Sequence, residues 1–541
     1  MKRYGPLVFV LFIAISACVG YWLAKTAMPV ADQNANRKSD IQPPSAKVVI
    51  DEDVQFGSGK RGPNGRSDDE ALEAGALPGQ RGLIFKDSES MERFLANLGD
   101  HVKLLGRIDA LNAVHVGFSD PLDLLALLDG NEELSLIFPA WLPSPKPGGV
   151  QAGAVGVGGD LLKVLGISSD NSLWGKGVWV AVLDTGVSTH PSISSKISML
   201  NLVPLSTDLT NWNGHGTAVA GLIAGSGNLT PGVAPGLEGL LSVRIGDDNG
   251  VSNSSLIAQG IVAAVDAGVK VVNISFGSSG DSGLVRNAIQ YARDAGVVIV
   301  ASAGNEGVQR LTYPAANDGV IAVGAVDAMG TAMDFSNSGK SLAVMTPGYD
   351  INAAWTNNEA VSFSGTSASA PLLAGAIAAA MNPGDGTTRT AQQAADLVLS
   401  KLNEAGAPGW DPGYGNGVLD MGRVMNAGVP GIYDAALASN YLAAPTADIP
   451  YPHLQVVIQN RGTAMLLNAG VKVTTPFGSM PMNITNLAPD QTHTFNIPLP
   501  LVDWNAPGTL KFDSSVNLSG SQWDVKTTNN RRVETYSPSS N

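Results

Sequence analysis

The chain has 541 residues, of which 44% are hydrophobic and 15% are charged. Its length predicts several domains, and its composition is typical of a compact protein rather than a disordered one. The formal net charge of -14 argues against nucleic-acid partners, because neutralising phosphates requires clustered Lys and Arg.

The N-terminus predicts export from the cytoplasm. Lys2 and Arg3 precede an apolar run over residues 6–24, which as a helix of about 1.5 Å per residue is just long enough to cross a bilayer. We interpret residues 1–28 as an uncleaved membrane anchor, as a lipoprotein signal in which Cys18 carries the lipid, or as a cleaved secretion signal, and leave the three open. Cys18 is the only cysteine, so no intramolecular disulfide can form.

Residues 29–80 and 81–142 differ in pattern. The first segment is rich in Asp, Asn, Arg, Gly and Pro and is predicted to be a disordered tether. The second shows strand and helix periodicities in the order βαββαβ, which predicts a small α+β unit. Its strands are predicted at residues 83–85, 102–108, 113–118 and 134–138, and its helices at 91–98 and 122–128.

Residues 143–160 are rich in Pro and Gly and are predicted to be a flexible, cleavable junction. Residues 161–428 alternate helices with nearly continuous Val and Ile runs, which predicts a parallel sheet buried between helices. Ligand sites in such sheets lie beyond the carboxyl ends of the strands. The clearest strands are predicted at residues 178–183, 240–245, 269–276, 297–301 and 320–326, and a clear helix at 254–267.

The pattern changes to short alternating strands after a predicted linker at residues 429–450. Phe495, Ile497 and Leu499 show this alternation. Residues 451–541 are therefore predicted to form an all-β sandwich, an accessory domain with a binding, spacer or stabilising role.

Three segments place reactive side chains at the ends of predicted regular elements. Asp184 ends a buried strand in VAVLDTG, His215 begins a helix in NGHGTAVAG, and Ser367 precedes an apolar helix in FSGTSASAP. A serine hydroxyl needs a base to remove its proton, and the base needs a third group to orient it and to stabilise its charged form. Ser367, His215 and Asp184 supply these three groups.

Together these segments resemble those of subtilisin-like serine proteases, the subtilases or peptidase family S8, in which the triad follows the same order along the chain. The resemblance implies that Asp184, His215 and Ser367 form the catalytic triad. Asn305, in the segment ASAGNEG, matches the family's oxyanion-hole motif. Further similar segments are GVAP (232–235), VVNISFG (271–277) and GYGNGVLD (413–420).

The resemblance also implies how the cleft binds its substrate. The residues implied to line it, and to pair their backbones with an extended peptide, are Ser275, Phe276, Gly277, Ala303 and Gly304. The loop over residues 308–313 is expected to shape the main specificity pocket.

By the same resemblance, the chain is a serine endopeptidase that acts on proteins or peptides through an acyl-enzyme and is made as a self-processing precursor. The implied fold is a subtilisin-like α/β catalytic domain, preceded by a ferredoxin-like α+β propeptide at residues 81–142 and followed by an immunoglobulin-like β-sandwich. The propeptide would inhibit the enzyme by laying its C-terminal tail, residues 137–141 or those shortly after, in the substrate cleft. The sequence does not identify the cleaved bond.

The implied chemistry requires no cofactor. Calcium commonly stabilises the family, and Asp247, Asp248 and Asn249 offer oxygen ligands. Acidic loop residues are more often simply solvated, so a structural calcium site is left unassigned.

Two other protease mechanisms and one non-enzymatic role are the alternatives. Asp184 and Asp281 both lie in motifs that resemble the paired carboxylates of pepsin-like aspartic proteases, but Asp281 follows a polar loop rather than a buried strand. The segment GDSG (280–283) resembles the nucleophile motif of chymotrypsin-like enzymes, although its surroundings predict a loop and a helix start. A catalytically inactive subtilisin fold that serves as a cell-surface binding module would usually lack a triad residue, and here all three are present.

Overall fold

The computed structural model of the chain describes residues 68–143, 151–204, 213–446, 449–500 and 509–536. The predicted export segment with Cys18, and residues 29–67 of the predicted tether, lie outside this range. Within the described residues, no helix has both the length and the apolar character that a membrane span requires.

A short helix, α1 (Asp69–Ala74), begins the described structure. Both carboxylate oxygens of Asp68 accept hydrogen bonds from the buried Arg81 guanidinium, at 2.6 and 2.7 Å. Ala71 on the helix is fully buried. The prediction of a disordered tether over residues 29–80 was therefore wrong for its last residues, because a contact with Arg81 that the composition does not reveal holds them.

The next unit is a four-stranded antiparallel sheet with two helices packed on it. Its core includes Leu83, Met91, Phe94 and Val114. The predicted βαββαβ order is confirmed. The elements are β1 (Gln80–Ile84), α2 (Ser88–Ala96), β2 (Val102–Ile108), β3 (Ala113–Phe118), α3 (Pro121–Leu125) and β4 (Glu133–Leu136).

The largest unit is built around a seven-stranded parallel sheet. Its elements are β5 (Pro139–Trp141), α4 (Leu161–Val164), β6 (Trp179–Asp184), β7 (Lys196–Asn201), α5 (His215–Ala224), β8 (Gly239–Arg244), β9 (Val251–Asn253), α6 (Ser254–Asp266), β10 (Val271–Ile274), β11 (Gly277–Ser278), α7 (Gly283–Asp294), β12 (Val298–Ser302), β13 (Val320–Val326), β14 (Leu342–Pro347), β15 (Ile351–Ala354), β16 (Ala360–Phe363), α8 (Thr366–Met381), α9 (Ala391–Ser400) and α10 (Met421–Met425). The seven strands of the parallel sheet lie in the order β14-β13-β12-β10-β6-β8-β7. The predicted parallel sheet is confirmed.

Helices cover both faces of this sheet because alternate residues of a strand point to opposite sides. Val180 and Val182 of β6 belong to the same buried cluster as residues of α5 and α8. Leu183 follows Val182 and therefore points to the opposite face of the sheet, where it packs against Gly260 of α6. A Cβ added to Gly260 would lie 3.0 Å from a Leu183 methyl carbon. The sheet is thus buried on both sides, as its Val-rich and Ile-rich strands require.

Residues 151–160 of the predicted junction are anchored to the parallel-sheet unit. The Val157 and Gly158 amides donate to the carbonyl oxygens of Tyr349 and Asp350, at 3.1 and 2.6 Å. Val157 is also buried. The prediction of a flexible junction over residues 143–160 was wrong for this part, whose Gly-rich composition conceals these contacts.

Two antiparallel sheets form the C-terminal unit, with strand orders β17-β18-β21 and β20-β19-β22-β23. Their strands are β17 (Ala435–Ala443), β18 (His453–Asn460), β19 (Leu466–Thr475), β20 (Gly478–Leu487), β21 (Thr492–Pro498), β22 (Leu510–Asn517) and β23 (Arg531–Tyr536). Leu454 from the first sheet shares a buried cluster with Val471 and Phe512 from the second. The predicted all-β sandwich is confirmed.

Strand β17 lies within the predicted linker at residues 429–450, so that prediction was wrong for this segment. The strand consists largely of small residues and carries Ser439 and Asn440, both buried. It therefore lacks the alternation of large apolar and polar residues that identifies a strand in sequence. Pairing with β18 along its length is what makes it a strand.

Candidate active site

Asp184 and His215 form the first contact of the site. Asp184 is the last residue of β6, at the carboxyl edge of the parallel sheet, and is fully buried. His215 is the first residue of α5, and its Nδ1 lies 2.9 Å from Asp184 Oδ1 and 3.0 Å from Oδ2. The Thr185 amide donates to the same Oδ1 at 2.8 Å. This carboxylate can fix the orientation of the imidazole and leave Nε2 for proton transfer.

Gly216 allows α5 to approach β6 closely. A Cβ atom at this position would lie 2.2 Å from the Gly186 carbonyl oxygen and 3.2 Å from Asp184 Cβ. A larger residue would push the helix, and His215 with it, away from Asp184. Close packing is therefore the physical reason for a glycine directly after this histidine.

Ser367 is the second residue of α8, where backbone N–H groups have no acceptor within the helix. Gly365 introduces the helix with a φ of 130°, a conformation that residues with a side chain rarely adopt. Ser367 is 1% exposed, and its Oγ has no hydrogen-bond partner among the described residues, His215 included. Phe363 places the serine's segment beside the histidine, since the Phe363 and His215 rings meet edge to face at 5.1 Å.

Asn305 links this helix to a peptide carbonyl of the chain itself. Its Oδ1 accepts hydrogen bonds from the Thr366 amide and the Thr366 hydroxyl, both at 2.9 Å. Its Nδ2 donates to the carbonyl oxygen of Pro143 at 2.7 Å. Asn305 is 1% exposed, so this side-chain amide is a fixed donor directed at a carbonyl group in a water-excluded site.

The residues before Pro143 lie in the cleft as an extended strand. Strand β5 pairs antiparallel with β11 on one side and with β9 on the other. Trp141 lies opposite Gly277 and Val251, and the Leu142 amide donates to the Gly250 carbonyl oxygen at 3.1 Å. The chain's own β5 is thus bound as the central strand of a three-stranded sheet, the way in which proteins bind extended peptides by strand addition.

The residues predicted to line the cleft fall into two groups. Gly277 pairs with β5, and Ser275 Oγ donates to the Ser367 carbonyl oxygen at 3.5 Å, while the Phe276 side chain is fully buried. Ala303 and Gly304 instead pair with other parts of the unit: the Ala303 amide donates to the Val323 carbonyl oxygen at 2.9 Å, and the Gly304 amide to the Thr366 hydroxyl at 3.2 Å.

The second wall of the cleft was not predicted from the sequence. This wall is β9, three residues that follow the polar turn at 247–250 and end at Asn253, the N-cap of α6. The signal was present, because a turn followed by a short run before a helix cap is typical of an edge strand. The run is too short to be recognised without its partner strand.

Comparison with known proteins identifies the family of the chain. Residues 175–417 match the sequence model of the Subtilase family. The thermostable alkaline protease of Halalkalibacterium halodurans is 37% identical over 258 residues, which cover 47% of this chain and 69% of that protein. The chain belongs to the subtilase family. This subtilase is also 38% identical to subtilisin Savinase of Lederbergia lenta over 211 residues, 39% of this chain and 78% of that protein.

A solved structure has the same fold as this subtilase. The epidermin leader peptide processing serine protease of Staphylococcus aureus aligns with a TM-score of 0.53 at 20% identity, over 65% of this chain and 98% of that chain. Membership of the family and the fold together identify the chain as a subtilisin-like serine endopeptidase.

In this subtilase, the residues that resembled motifs of pepsin-like and chymotrypsin-like proteases make structural contacts. Asp281 accepts a hydrogen bond from the Asn317 side-chain amide at 2.9 Å and pairs with Arg286 at 2.7 Å. Ser282 is the N-cap residue of α7, and its Oγ lies 3.1 Å from Ser135 Oγ. The predicted loop and helix start at residues 280–283 is confirmed.

Two further predictions concern loops near the site. Asp248, considered as a calcium ligand, pairs with the buried Arg244 at 2.9 Å, and the described residues contain no group of three acidic, His or Cys side chains that could hold a metal ion. The loop predicted to shape the main pocket contributes Gln309 and Tyr313 to a cavity of about 800 Å³, which none of the three predicted triad residues lines.

Proposed function

We propose that Asp184, His215 and Ser367 are the catalytic triad of this subtilase, with Asn305 as a donor of the oxyanion hole. The observation that carries the proposal is the hydrogen bond from Asn305 Nδ2 to the carbonyl oxygen of an extended peptide, beside an unpaired buried serine hydroxyl. The contact between His215 and Asp184 supplies the base and its orienting group.

In the proposed reaction, His215 Nε2 takes the Ser367 hydroxyl proton as Oγ attacks the peptide carbonyl carbon. The carbonyl oxygen becomes an oxyanion that receives hydrogen bonds from Asn305 Nδ2 and from the Ser367 amide. His215 then protonates the leaving amine, and afterwards activates the water that hydrolyses the acyl-enzyme, while Asp184 remains ionised. No step requires a cofactor.

We further propose that residues 81–142 are an inhibitory propeptide. Two glycines of its sheet support this role because they allow close contact with the parallel-sheet unit. A Cβ on Gly82 would lie 2.7 Å from the Leu284 side chain on α7, and one on Gly106 would lie 2.8 Å from Gln259 on α6. With β5 in the cleft, Ser367 is inaccessible to other substrates.

The proposed location is outside the cytoplasm. It rests on the export signal in residues 1–28, which acts as a membrane anchor, a lipoprotein signal or a cleaved signal. The relatives of this chain include alkaline proteases and subtilisins. We propose protein or peptide substrates and the chain's own propeptide as partners.

Hydrolysis of denatured casein by the incubated full-length chain tests the catalytic assignment. Wild type is expected to digest casein, and Ser367→Ala to lose at least about 10⁴-fold of that activity, since the nucleophile is absent. Ser369→Ala is the matched control: Ser369 lies on the same helix and its hydroxyl contacts the Thr346 and Pro347 carbonyl oxygens instead. Equal activity of wild type and Ser367→Ala would refute the assignment, and a folded wild type without activity would favour the binding-module alternative.

A further inference from the structure

We propose that this subtilase cleaves its own chain at the peptide bond that follows Pro143, an inference that rests on the catalytic role proposed for Ser367 and Asn305. The product would be a catalytic chain that begins at Ser144 and a released segment that ends at Pro143.

The carbonyl group bound by Asn305 identifies the bond. An oxyanion-hole donor contacts the oxygen of the carbonyl that the nucleophile attacks, so the residue that owns this oxygen lies on the N-terminal side of the cleaved bond. Asn305 Nδ2 donates to the Pro143 carbonyl oxygen at 2.7 Å, and both the donor and Ser367 are 1% exposed.

The register of β5 fixes which carbonyl reaches Asn305. Ala140 lies opposite Ser278 and Ser252, and is 1% exposed, whereas Trp141 is 36% exposed. A slip of the strand by one residue would exchange the two faces and force Trp141 into the space of the buried Ala140. A neighbouring carbonyl group therefore cannot replace the Pro143 carbonyl at Asn305 unless the packing of the buried Ala140 is lost.

Contacts at the start of the strand hold the same register. The Phe138 amide donates to Ser254 Oγ at 3.1 Å, and the Ser254 amide donates to the Phe138 carbonyl oxygen at 2.9 Å. The Phe138 ring covers Gly280, where a Cβ would lie 2.0 Å from a ring carbon. At the other end, Leu142 rests on Gly250, where a Cβ would lie 2.7 Å from a Leu142 methyl carbon.

The covalent step balances with water as the only co-reactant. Ser367 Oγ forms an ester with the Pro143 carbonyl carbon as the C–N bond to Ser144 breaks, and the serine proton passes through His215 to the new amine of Ser144. Water then adds to the ester, which leaves a carboxylate on Pro143 and restores the Ser367 hydroxyl.

Intact-mass analysis of the full-length chain during incubation tests the proposal. The earliest pair of fragments is expected to sum to the precursor plus one water, with the junction after Pro143, and Ser367→Ala is expected to stay whole. Reading the earliest pair matters because later trimming could move the new N-terminus. An earliest pair joined at any other bond would overturn the proposal.

Substitutions in the strand test the register argument. Ala140→Trp, which fills the buried position, is expected to slow cleavage after Pro143 at least 10-fold, while the control Leu125→Trp, at a position 54% exposed on α3, leaves the rate unchanged. Pro143→Ala retains the carbonyl group and is expected to be cleaved after residue 143 as well. This variant keeps the proposal testable if Ala140→Trp does not fold. A junction that moves in Pro143→Ala, or unchanged cleavage in a folded Ala140→Trp, would contradict the proposal.

A parallel reaction with a fluorophosphonate probe separates this proposal from the proposed function. If incubated wild type is labelled and digests casein but is cut first at another bond, the proposed function stands and the assignment of the cleaved bond is wrong. If wild type is folded but neither cut nor labelled, both proposals are wrong.

Discussion

Asn305 uses the two ends of its side chain for different purposes. Oδ1 accepts two hydrogen bonds from Thr366 and so holds the first turn of α8, while Nδ2 donates to the Pro143 carbonyl oxygen. Gly365 lies against the same group, since a Cβ there would be 2.8 Å from Asn305 Nδ2. One residue therefore holds the helix that carries Ser367 and, in the proposed mechanism, also stabilises negative charge on the substrate.

Replacement of Asn305 tests these two roles. Asn305→Ala is expected to lower kcat by about 10²–10³-fold with little change in KM, the range found when this donor is removed from subtilisin itself. Loss of the acceptor for Thr366 is expected to lower the free energy of unfolding by about 1–3 kcal/mol as well. Kinetics on a chromogenic peptide, together with thermal unfolding, separate the effects. A kcat within a factor of three of wild type in a folded variant would exclude Asn305 from the oxyanion hole.

The sequence predicts Asp184, His215, Ser367 and Asn305 because each lies in a short motif that resembles one of the subtilases, and Gly216 and Gly365 give two of these motifs a local structural reason. The contact of Asn305 with Pro143 could not be predicted in the same way. It joins residues 162 positions apart and depends on the register of a strand whose partners come from two other segments.

At the scale of elements, hydrophobic runs predicted the central strands well. Strands β6, β10, β12 and β13 lie where buried Val and Ile runs placed them, within a few residues at each end. Strand β7 shows the limit of this signal: among the described strands it pairs only with β8, at the edge of the sheet, and none of its residues is fully buried. An edge strand with polar and half-exposed residues has no pattern that distinguishes it from a loop.

His115 makes the sheet of residues 80–136 sensitive to pH. It lies on β3, its Nε2 is 2.9 Å from Gln80 Oε1, and burial lowers its pKa to about 4. Because the folded-state pKa lies below the unfolded value of about 6.5, the sheet is most stable above about pH 6.5. Its stability is lost as pH falls from there towards 4, by roughly 3 kcal/mol at most.

Hydrogen exchange of the β3 amides in the uncleaved Ser367→Ala chain, between pH 4 and 7, measures this effect. His115→Gln is expected to remove most of the pH dependence of the opening free energy, because glutamine does not titrate. The matched control is His101→Gln, which removes an exposed histidine from the same unit. An unchanged pH dependence in His115→Gln would show that another group is responsible.

At the scale of the whole molecule, a charged cluster joins the parallel-sheet unit to the sandwich. Asp490 of the sandwich pairs with Lys401 at 2.5 Å and with Arg423 at 2.8 Å, and the Arg423 side chain is 5% exposed. The Gln459 side-chain amide adds a hydrogen bond to the Leu402 carbonyl oxygen at 3.1 Å. A buried guanidinium that depends on a carboxylate of another unit makes the two units interdependent in stability.

Asp490→Asn tests this interdependence. Asp490 has a φ of 65°, a left-handed conformation that asparagine also tolerates, so the substitution changes charge without straining the backbone. It is expected to lower the free energy of unfolding by about 1–3 kcal/mol, because the buried Arg423 loses the carboxylate with which it pairs directly, while Asp490 itself is partly exposed. Thermal unfolding measures it.

The control for that experiment is Asp513→Asn, which breaks an exposed pair with Arg531 inside the sandwich and is expected to cost less than about 1 kcal/mol. Equal costs for the two substitutions would show that the interface adds no special stability. If the parallel-sheet unit and the sandwich of wild type unfold at widely separated temperatures, the interface likewise adds no special stability.

Identification of the residue labelled by a fluorophosphonate is the measurement that tests the central claim most directly, namely that Ser367 is the activated nucleophile. After incubation, wild type is expected to carry the label on the peptide that contains Ser367. Ser367→Ala is expected to carry none, and His215→Ala to be labelled far more slowly, because the base is missing. A folded wild type that is labelled on another serine, or that is processed yet not labelled at Ser367, would contradict the account.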